Sequence, residues 1–145
     1  MSRFERWAVW STSLLTALTG IVYIAMKYGM EPREPWAVIN HPLQPLVLKL
    51  HIVVAPLLVF ALGLITLKHV WKHWRSGIAW GRRSGIGTVL VTVPMVLTGY
   101  LIQVVTSERW LAGISWTHVV TGLGFALALV LHWEMIRRGA VKNKK

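Results

Sequence analysis

Hydrophobic residues are gathered into four long runs, which are separated by short polar, basic or proline-rich segments. The first run, Trp7 to Tyr28, is interrupted only by small polar residues and by Lys27 at its end. At about 20 residues it is long enough to cross a bilayer and too long for the apolar core of a signal peptide, and no A-x-A-like cleavage site follows it. We therefore expect a first transmembrane helix that stays in the mature protein.

Prolines and glycines indicate where the other helices begin and end. The segment Gly29 to Pro45 contains Pro32, Pro35, Pro42 and Pro45, so it is predicted to be an exposed loop. Further helices are expected at about residues 46–74, 85–105 and 114–136, joined by a basic connector at 77–84 and a turn at 106–113. The pattern predicts an all-α membrane protein, a four-transmembrane-helix bundle built from two tandem helical hairpins.

Composition narrows the class of protein further. With 145 residues, 54% hydrophobic residues and a mean hydropathy of +0.53, residues 1–145 are expected to be a single membrane domain. Cysteine is absent, which excludes disulfides, thiolate-ligated iron–sulfur clusters and the C-x-x-C-H attachment of c-type haem. Any haem must be bound non-covalently, as in b-type cytochromes.

The positive charge is read as a topology signal. The formal charge is +11, and in so apolar a chain it favours membrane orientation rather than nucleic-acid binding. All but four of the sixteen lysines and arginines fall near the termini or around the connector between the second and third helices; the exceptions are Lys27, Arg33, Lys49 and Arg109. The positive-inside rule then places both termini in the cytoplasm of a bacterial cell, with the protein integral to its inner membrane.

Four histidines recur at helical spacing. His118 and His132 are fourteen positions apart, a rise of roughly 21 Å and a rotation within about 40° of whole turns in an α-helix. His51 and His69 are eighteen apart, or five turns at about 3.6 residues per turn. Each helix therefore presents a histidine near both ends of one face. Because a six-coordinate haem iron takes one imidazole from each side, this constellation predicts two stacked b-type haems.

A weak internal repeat predicts how these ligands pair. Leu18-Thr19-Gly20-Ile21 is similar to Leu97-Thr98-Gly99-Tyr100, and Phe60-Ala61-Leu62 is similar to Phe125-Ala126-Leu127. Two hairpins of the same topology are related by an axis along the membrane normal. His51 and His118 then lie at one level on the outer side and share one haem, while His69 and His132 share the inner haem. His73, one turn further along, is the poorer candidate for the inner ligand.

Other residues are expected around the haems. Gly122, one turn after His118, would leave room for a flat macrocycle, although glycine in membrane helices also serves helix packing alone. Phe125 would lie between the haems or simply in the core. Lys49 and Arg109 are outer-side cations that would pair with haem propionates or extend to the membrane surface.

The inner ends of the second and fourth helices are the predicted quinone site. His73, Trp74 and Arg75 follow His69, and Glu134 follows His132. A quinone needs polar groups to hold its carbonyls and exchange protons, which these side chains would supply. The competing interpretation for Glu134 is an ion pair with a neighbouring basic residue such as Arg138.

The histidine pairs and the Leu131-His132-Trp133 sequence resemble the small dihaem cytochrome b membrane subunits, in particular those of membrane-bound hydrogenases and formate dehydrogenases. The resemblance covers essentially the whole chain. It implies electron transfer between a quinone pool and a catalytic partner subunit. One departure concerns the inner pair, because those subunits place a haem ligand in their first helix and Trp7 to Tyr28 contains no histidine.

The expected function is that of a b-type dihaem electron-transfer subunit with no catalytic residues of its own. Its partners would be lipid, quinone and a periplasmic or membrane-associated multihaem or iron–sulfur protein, docked near Glu31 to His41 and Ser107 to Trp110. Two alternatives stay open. One is a self-contained quinone-linked oxidase that uses oxygen or superoxide. The other is a non-haem scaffold or metal-handling subunit that uses His69 and His73.

Overall fold

The structure, a computed structural model, describes residues 1–75 and 82–142, without the side chains of residues 67, 68, 73, 74, 82, 83 and 139–142. Within these ranges the regular secondary structure is entirely helical, as predicted. In chain order it consists of α1 (Arg3–Gly29), α2 (Gln44–Ile65), a π-helix (Thr66–Trp71), the short α3 (Lys72–Arg75), α4 (Arg82–Val104) and α5 (Glu108–Lys142).

Four of these helices are long and apolar enough to cross a membrane: Arg3–Gly29, Gln44–Ile65, Ser84–Val104 and Glu108–Arg138. At most 17% of the most apolar stretch of any of them is buried inside the protein. Most of their hydrophobic surface is therefore left for lipid, which is what distinguishes a membrane protein from a soluble helical one. The prediction of a four-helix membrane protein is confirmed.

The helices form two compact units, each built around one hairpin. The first unit, Met1–His69, packs α1 against α2, and the second unit, Val70–Lys145, packs α4 against α5. This confirms the two tandem hairpins expected from the hydropathy pattern. In both units the hairpin partners are consecutive long helices, so the packing of each helix is set mainly by its neighbour in sequence.

Several helices extend beyond their predicted ends. Helix α1 begins at Arg3 rather than Trp7, because Ser2 and Glu5 form a capping box: Glu5 N lies 3.1 Å from Ser2 Oγ, and Ser2 N lies 2.8 Å from Glu5 Oε2. Helix α5 begins at Glu108, so most of the predicted turn at 106–113 is helical. Hydropathy detects the part of a helix that matches the bilayer, whereas polar extensions at its ends are held by caps and backbone hydrogen bonds.

Asn40, in the loop between α1 and α2, forms hydrogen bonds to both helices. Asn40 Nδ2 donates to the carbonyl oxygens of Lys27 and Met30, each 2.8 Å away, at the carboxyl end of α1. The backbone N–H of Asn40 donates to Gln44 Oε1 at 3.0 Å, in the first turn of α2. The two bonds from Asn40 Nδ2 satisfy carbonyl groups that a helix end leaves without an intrahelical partner. Asn40 thereby joins the two helices of the hairpin at the end that carries this loop.

The second predicted helix is not one continuous α-helix. After Ile65 the backbone passes through the π-helix Thr66–Trp71, which contains His69. One extra residue in a helical turn rotates the next residues by up to about 100° relative to continuous α-helix. The prediction that His51 and His69 share a face assumes α-helical spacing throughout, and the π-helix at Thr66–Trp71 does not meet this assumption.

The four spans predict that both termini lie on one side of the membrane, because an even number of crossings returns the chain to its starting side. The chain has no cysteine, so single cysteines can be placed at will. With the orientation that the positive-inside rule predicts, we expect a membrane-impermeant maleimide added to intact cells to label Val38→Cys and Ser107→Cys, both at exposed positions. Arg3→Cys should react only after permeabilisation. Labelling of Arg3→Cys together with Val38→Cys in intact cells would contradict the four-span topology.

Candidate functional site

His51 is held by the helix that precedes it in the first unit. Its Nδ1 atom lies 3.1 Å from the carbonyl oxygen of Thr16 and 3.0 Å from Oγ1 of Thr19, both on α1. The imidazole is half-buried. One edge of the ring is therefore fixed by two oxygen atoms of the neighbouring helix.

His118 is held in the same way in the second unit. Its Nδ1 atom lies 2.9 Å from the carbonyl oxygen of Met95 and 3.3 Å from Oγ1 of Thr98, both on α4. In both units the carbonyl comes from the residue three positions before the threonine, and a glycine follows the threonine. The short repeat that the sequence shows around Thr19 and Thr98 is thus the segment that binds an imidazole.

The oxygen partners decide which ring nitrogen carries the hydrogen. A backbone carbonyl can only accept, so Nδ1 of His51 and of His118 must be the protonated nitrogen. The threonine hydroxyls agree, since Thr19 Oγ1 donates to Leu15 O at 2.8 Å and Thr98 Oγ1 donates to Pro94 O at 2.6 Å. Each hydroxyl oxygen is left to accept from the imidazole. In a neutral ring, Nε2 then carries the lone pair that a metal ion requires.

Glycine allows each imidazole to come close to the neighbouring helix. A Cβ atom at Gly20 would lie 3.1 Å from Cε1 of His51, and one at Gly99 would lie 3.0 Å from Cε1 of His118. Both distances are too short for ordinary carbon–carbon contact. Because each glycine is four residues after the residue whose carbonyl accepts, it leaves that carbonyl open on the side from which the imidazole comes.

His132 has a related environment at the other end of the second hairpin. Its Nδ1 atom lies 2.9 Å from Oγ of Ser84, and a Cβ atom at Gly85 would lie 3.5 Å from its Cε1 atom. Ser84 and Thr98 are fourteen positions apart on α4, as are His118 and His132 on α5. The two antiparallel helices therefore place a hydroxyl–glycine pair beside each histidine.

The fourth predicted ligand, His69, lies in the π-helix and is half-buried. Its position differs from that of His132, which lies in an uninterrupted α-helix. π-Helical turns are often found at functional sites. The structure thus places a hydroxyl residue and a glycine beside three of the predicted ligands, and it places His69 in a π-helical backbone.

The predicted quinone residues are described only in part. The side chains of His73 and Trp74 lie outside the described residues. Arg75 stacks on Trp71, with its Cζ atom 4.9 Å from the ring centroid. Glu134 Oε2 pairs with Arg137 Nη2 at 3.1 Å and with Arg138 Nε at 3.7 Å, which confirms the ion-pair interpretation of this carboxylate.

His41, in the loop between α1 and α2, has a different hydrogen-bonding pattern. Nδ1 of His41 accepts a hydrogen bond from the backbone N–H of Leu43 at 3.1 Å. In its neutral form His41 therefore carries its hydrogen on Nε2, the opposite tautomer from His51 and His118. The tautomer with the hydrogen on Nδ1 is accordingly assigned to His51 and His118 and is not shared by every histidine in the chain.

The other predicted residues have less distinctive surroundings. A Cβ atom at Gly122 would meet no atom of the described residues within 4 Å. Lys49 and Arg109 are exposed, and Phe125 is buried with 3% of its surface accessible. The expected roles of Gly122, Lys49 and Arg109 stay predictions.

Sequence reasoning misses the residues that hold the imidazoles. It places Ser84 in the connector, and it assigns glycine to helix packing or to macrocycle space rather than to contact with a histidine. The signal that could have found them is a hydroxyl residue followed by glycine, at Thr19, Ser84 and Thr98. Thr16 and Met95 contribute only backbone carbonyls, so their side chains carry no signal.

Comparisons with known proteins do not identify this chain. No protein-family description matches it, and neither a curated protein nor a solved structure resembles it significantly. Within the described residues, no group of three or more His, Asp or Glu side chains is close enough to hold a metal ion by itself. The membrane fold and the histidine environments are therefore the basis for inferring function.

The glycine contacts predict a graded set of alanine variants. Gly20→Ala and Gly99→Ala should each destabilise the protein by about 1–3 kcal/mol, because the added methyl group overpacks against an imidazole. Gly85→Ala should cost less, since its Cβ would make an ordinary contact at 3.5 Å. The measurement is unfolding by SDS in detergent micelles.

Gly63→Ala is the matched control, because a Cβ atom there would meet no described atom within 4 Å. Its stability should be unchanged or slightly raised, as alanine is the better helix former. Equal losses in Gly63→Ala and Gly99→Ala would show that close approach of the imidazole is not the reason for the glycine.

Proposed function

We propose that this protein is a b-type dihaem electron-transfer subunit of a membrane oxidoreductase. The observation that carries the proposal is the hydrogen bonding of His51 and His118, whose Nδ1 atoms face backbone carbonyls at 3.1 Å and 2.9 Å. Metal-binding histidines commonly donate the other ring N–H to such an acceptor, which fixes the tautomer and the ring orientation. His51 and His118 therefore have the tautomer, and the hydrogen bond at the other ring nitrogen, that a metal ligand needs.

The donor set fits haem better than a bare metal ion. Described side chains form no cluster of three His, Asp or Glu, whereas a haem iron brings four nitrogens of its own and needs only two axial imidazoles. Neutral imidazole is also a soft enough donor for iron in an apolar environment. The absence of cysteine from the sequence restricts the haem to the non-covalent b type.

The proposed assignment gives each hairpin one ligand per haem. His51 and His118 would bind the outer haem, and the equivalent hydrogen bonds of the two imidazoles support a ligand role for each of them. His69 and His132 would bind the inner haem, with His132 oriented by Ser84. Because the backbone around His69 is π-helical, its variant belongs in the test of the assignment.

Bound haem supplies a one-electron couple whose potential depends on ligand, hydrogen bonding and burial. The residues of the chain would provide the ligand atoms, their orientation and an environment without water. His51 and His118 present Nε2, Thr16 and Met95 hold the Nδ1–H through their carbonyls, and the apolar helices exclude water. Each Nδ1 keeps its hydrogen during electron transfer, because that hydrogen is donated to a backbone carbonyl of fixed position.

The proposed setting is the bacterial inner membrane with both termini in the cytoplasm, following the positive-inside rule. Electrons would pass between the quinone pool and a multihaem or iron–sulfur partner on the outer side. The outer loops offer exposed apolar side chains for such a partner: Trp36 is 78% exposed, Val38 93% and Trp110 70%. Exposed tryptophan is common both at protein interfaces and at membrane surfaces.

An optical spectrum tests the haem assignment directly. We expect purified protein to show a reduced b-type α-band and two haems per chain by pyridine haemochrome. His51→Ala and His118→Ala should remove the same spectral component, and His132→Ala and His69→Ala the other. His41→Ala is the control and should leave both components intact, because its Nδ1 already accepts from Leu43.

Spectra that differ from these expectations would reject particular parts of the proposal. Protein without a b-type band would end the proposal and favour the scaffold or metal-handling alternative. Loss of different components in His51→Ala and His118→Ala would reject the pairing. A high-spin spectrum for half the haem would indicate that His69 does not bind iron and would favour the oxidase alternative, which needs an open coordination position.

The quinone proposal concerns the inner end of the protein. Exchange of electrons with quinol there would involve His73, Trp74 and Arg75, while Glu134 is engaged in ion pairs with Arg137 and Arg138. We expect His73→Ala to slow haem reduction by a water-soluble quinol analogue without changing the haem spectrum. Glu134→Gln should have a smaller effect, and impairment by His41→Ala or Arg109→Ala instead would place the site on the outer side.

A further inference from the structure

We infer that the hydroxyl groups of Thr19 and Thr98 set the reduction potential of the outer haem, acting as positioning residues through His51 and His118. The inference rests on the proposed function, since it assigns these two imidazoles to one iron. It goes beyond that function because it names side chains, distant from the iron-binding nitrogen, that determine at which potential the site works.

The geometry gives each imidazole two acceptors. Nδ1 of His51 lies 3.1 Å from Thr16 O and 3.0 Å from Thr19 Oγ1, so one N–H is shared between a carbonyl and a hydroxyl oxygen. Nδ1 of His118 has the same pair of acceptors, at 2.9 Å from Met95 O and 3.3 Å from Thr98 Oγ1. Such three-centre hydrogen bonds are ordinary in proteins.

The hydroxyls are fixed as acceptors by their own helix. Thr19 Oγ1 donates to Leu15 O and Thr98 Oγ1 to Pro94 O, at 2.8 Å and 2.6 Å. A hydroxyl whose proton is already donated is polarised and becomes a better acceptor. The carbonyl of Pro94 lies one turn before Thr98, so the hydroxyl oxygen is held facing His118 by its own helix backbone.

The effect on the iron follows from acid–base chemistry. Acceptors at Nδ1–H draw the proton away from the ring and make Nε2 a stronger electron donor. A stronger donor stabilises ferric over ferrous iron, which lowers the reduction potential. Removing the hydroxyl while keeping the carbonyl should therefore raise the potential without removing the ligand.

The same threonine–histidine contact occurs in both hairpins, so the inference predicts how the shifts in reduction potential add. If both imidazoles bind the same iron, then loss of either hydroxyl should shift the same haem, and loss of both should shift it by the sum of the two effects. Ser84 contacts His132 instead, at 2.9 Å, so its hydroxyl should act on the other haem.

The test is a redox titration of the purified haem protein with Thr19→Val, Thr98→Val, the double variant and Ser84→Ala. Each valine should shift the ferric–ferrous equilibrium of the outer haem about two- to tenfold toward ferrous, where tenfold is about 59 mV for one electron. Thr19→Ser and Thr98→Ser keep a hydroxyl and should restore the original potential. Thr12→Val is the matched control, because the Thr12 hydroxyl bonds Ala8 O at 2.6 Å on the same helix.

The outcomes separate this inference from the proposed function. Wild-type protein without haem overturns the function, whereas normal haem content with unchanged potentials in both valine variants overturns only the inference. Equal shifts in Thr12→Val and Thr19→Val would also overturn it, as would equal shifts of both haems. If a valine variant loses haem, Thr98→Ser and Thr98→Ala decide: haem loss in both means a packing role, and retention in serine alone supports the hydroxyl.

Discussion

The hydrogen bond from an imidazole N–H to a backbone carbonyl of the neighbouring helix is the interaction on which the proposed site depends. Within a bilayer a polar ring has no water to satisfy it, and leaving its N–H without a partner costs about 1–3 kcal/mol or more. The helix backbone can supply the acceptor because a carbonyl has two lone pairs, of which the helix itself uses one. The second is accessible only where no side chain covers it. Gly20 and Gly99 leave it accessible to His51 and His118.

The hairpin is the repeating unit of this protein. The carbonyl, the threonine and the glycine occur at the same relative positions on α1 and α4, and each faces a histidine of the following helix. Seven residues after His51 and His118 lie Leu58 and Phe125, each with 3% of its surface exposed. The two units therefore share a packing scheme as well as the surroundings of one imidazole. They differ at the second histidine of each unit, because His69 lies in a π-helix and His132 lies in a regular α-helix.

The hydrophobic side chains contribute less to this packing than they would in a soluble protein. The described core is small, and most large apolar residues point outward, as expected where lipid is as apolar as the protein interior. Close helix approach at glycine and hydrogen bonds of threonine and serine take over much of the role of hydrophobic burial. This explains why the same small residues determine both how the helices pack and how the imidazoles are oriented.

The amino-acid sequence by itself determined the four membrane helices, their pairing into hairpins and the histidine spacing, because hydropathy and helical periodicity are local properties of the chain. It also showed the repeat around Thr19 and Thr98, but not that this repeat contacts an imidazole.

The tertiary structure decided which residues surround each histidine and which backbone conformation carries it. It showed that Leu58, rather than the 65% exposed Phe60, corresponds to Phe125, and that the backbone at His69 is π-helical. It also fixed the imidazole tautomers, since their acceptors are backbone carbonyls, which every residue possesses. A hydroxyl residue followed by glycine also occurs at Thr121, but Gly122 touches no imidazole among the described residues. The position of the neighbouring helix therefore decides which of these hydroxyl–glycine pairs contact a histidine.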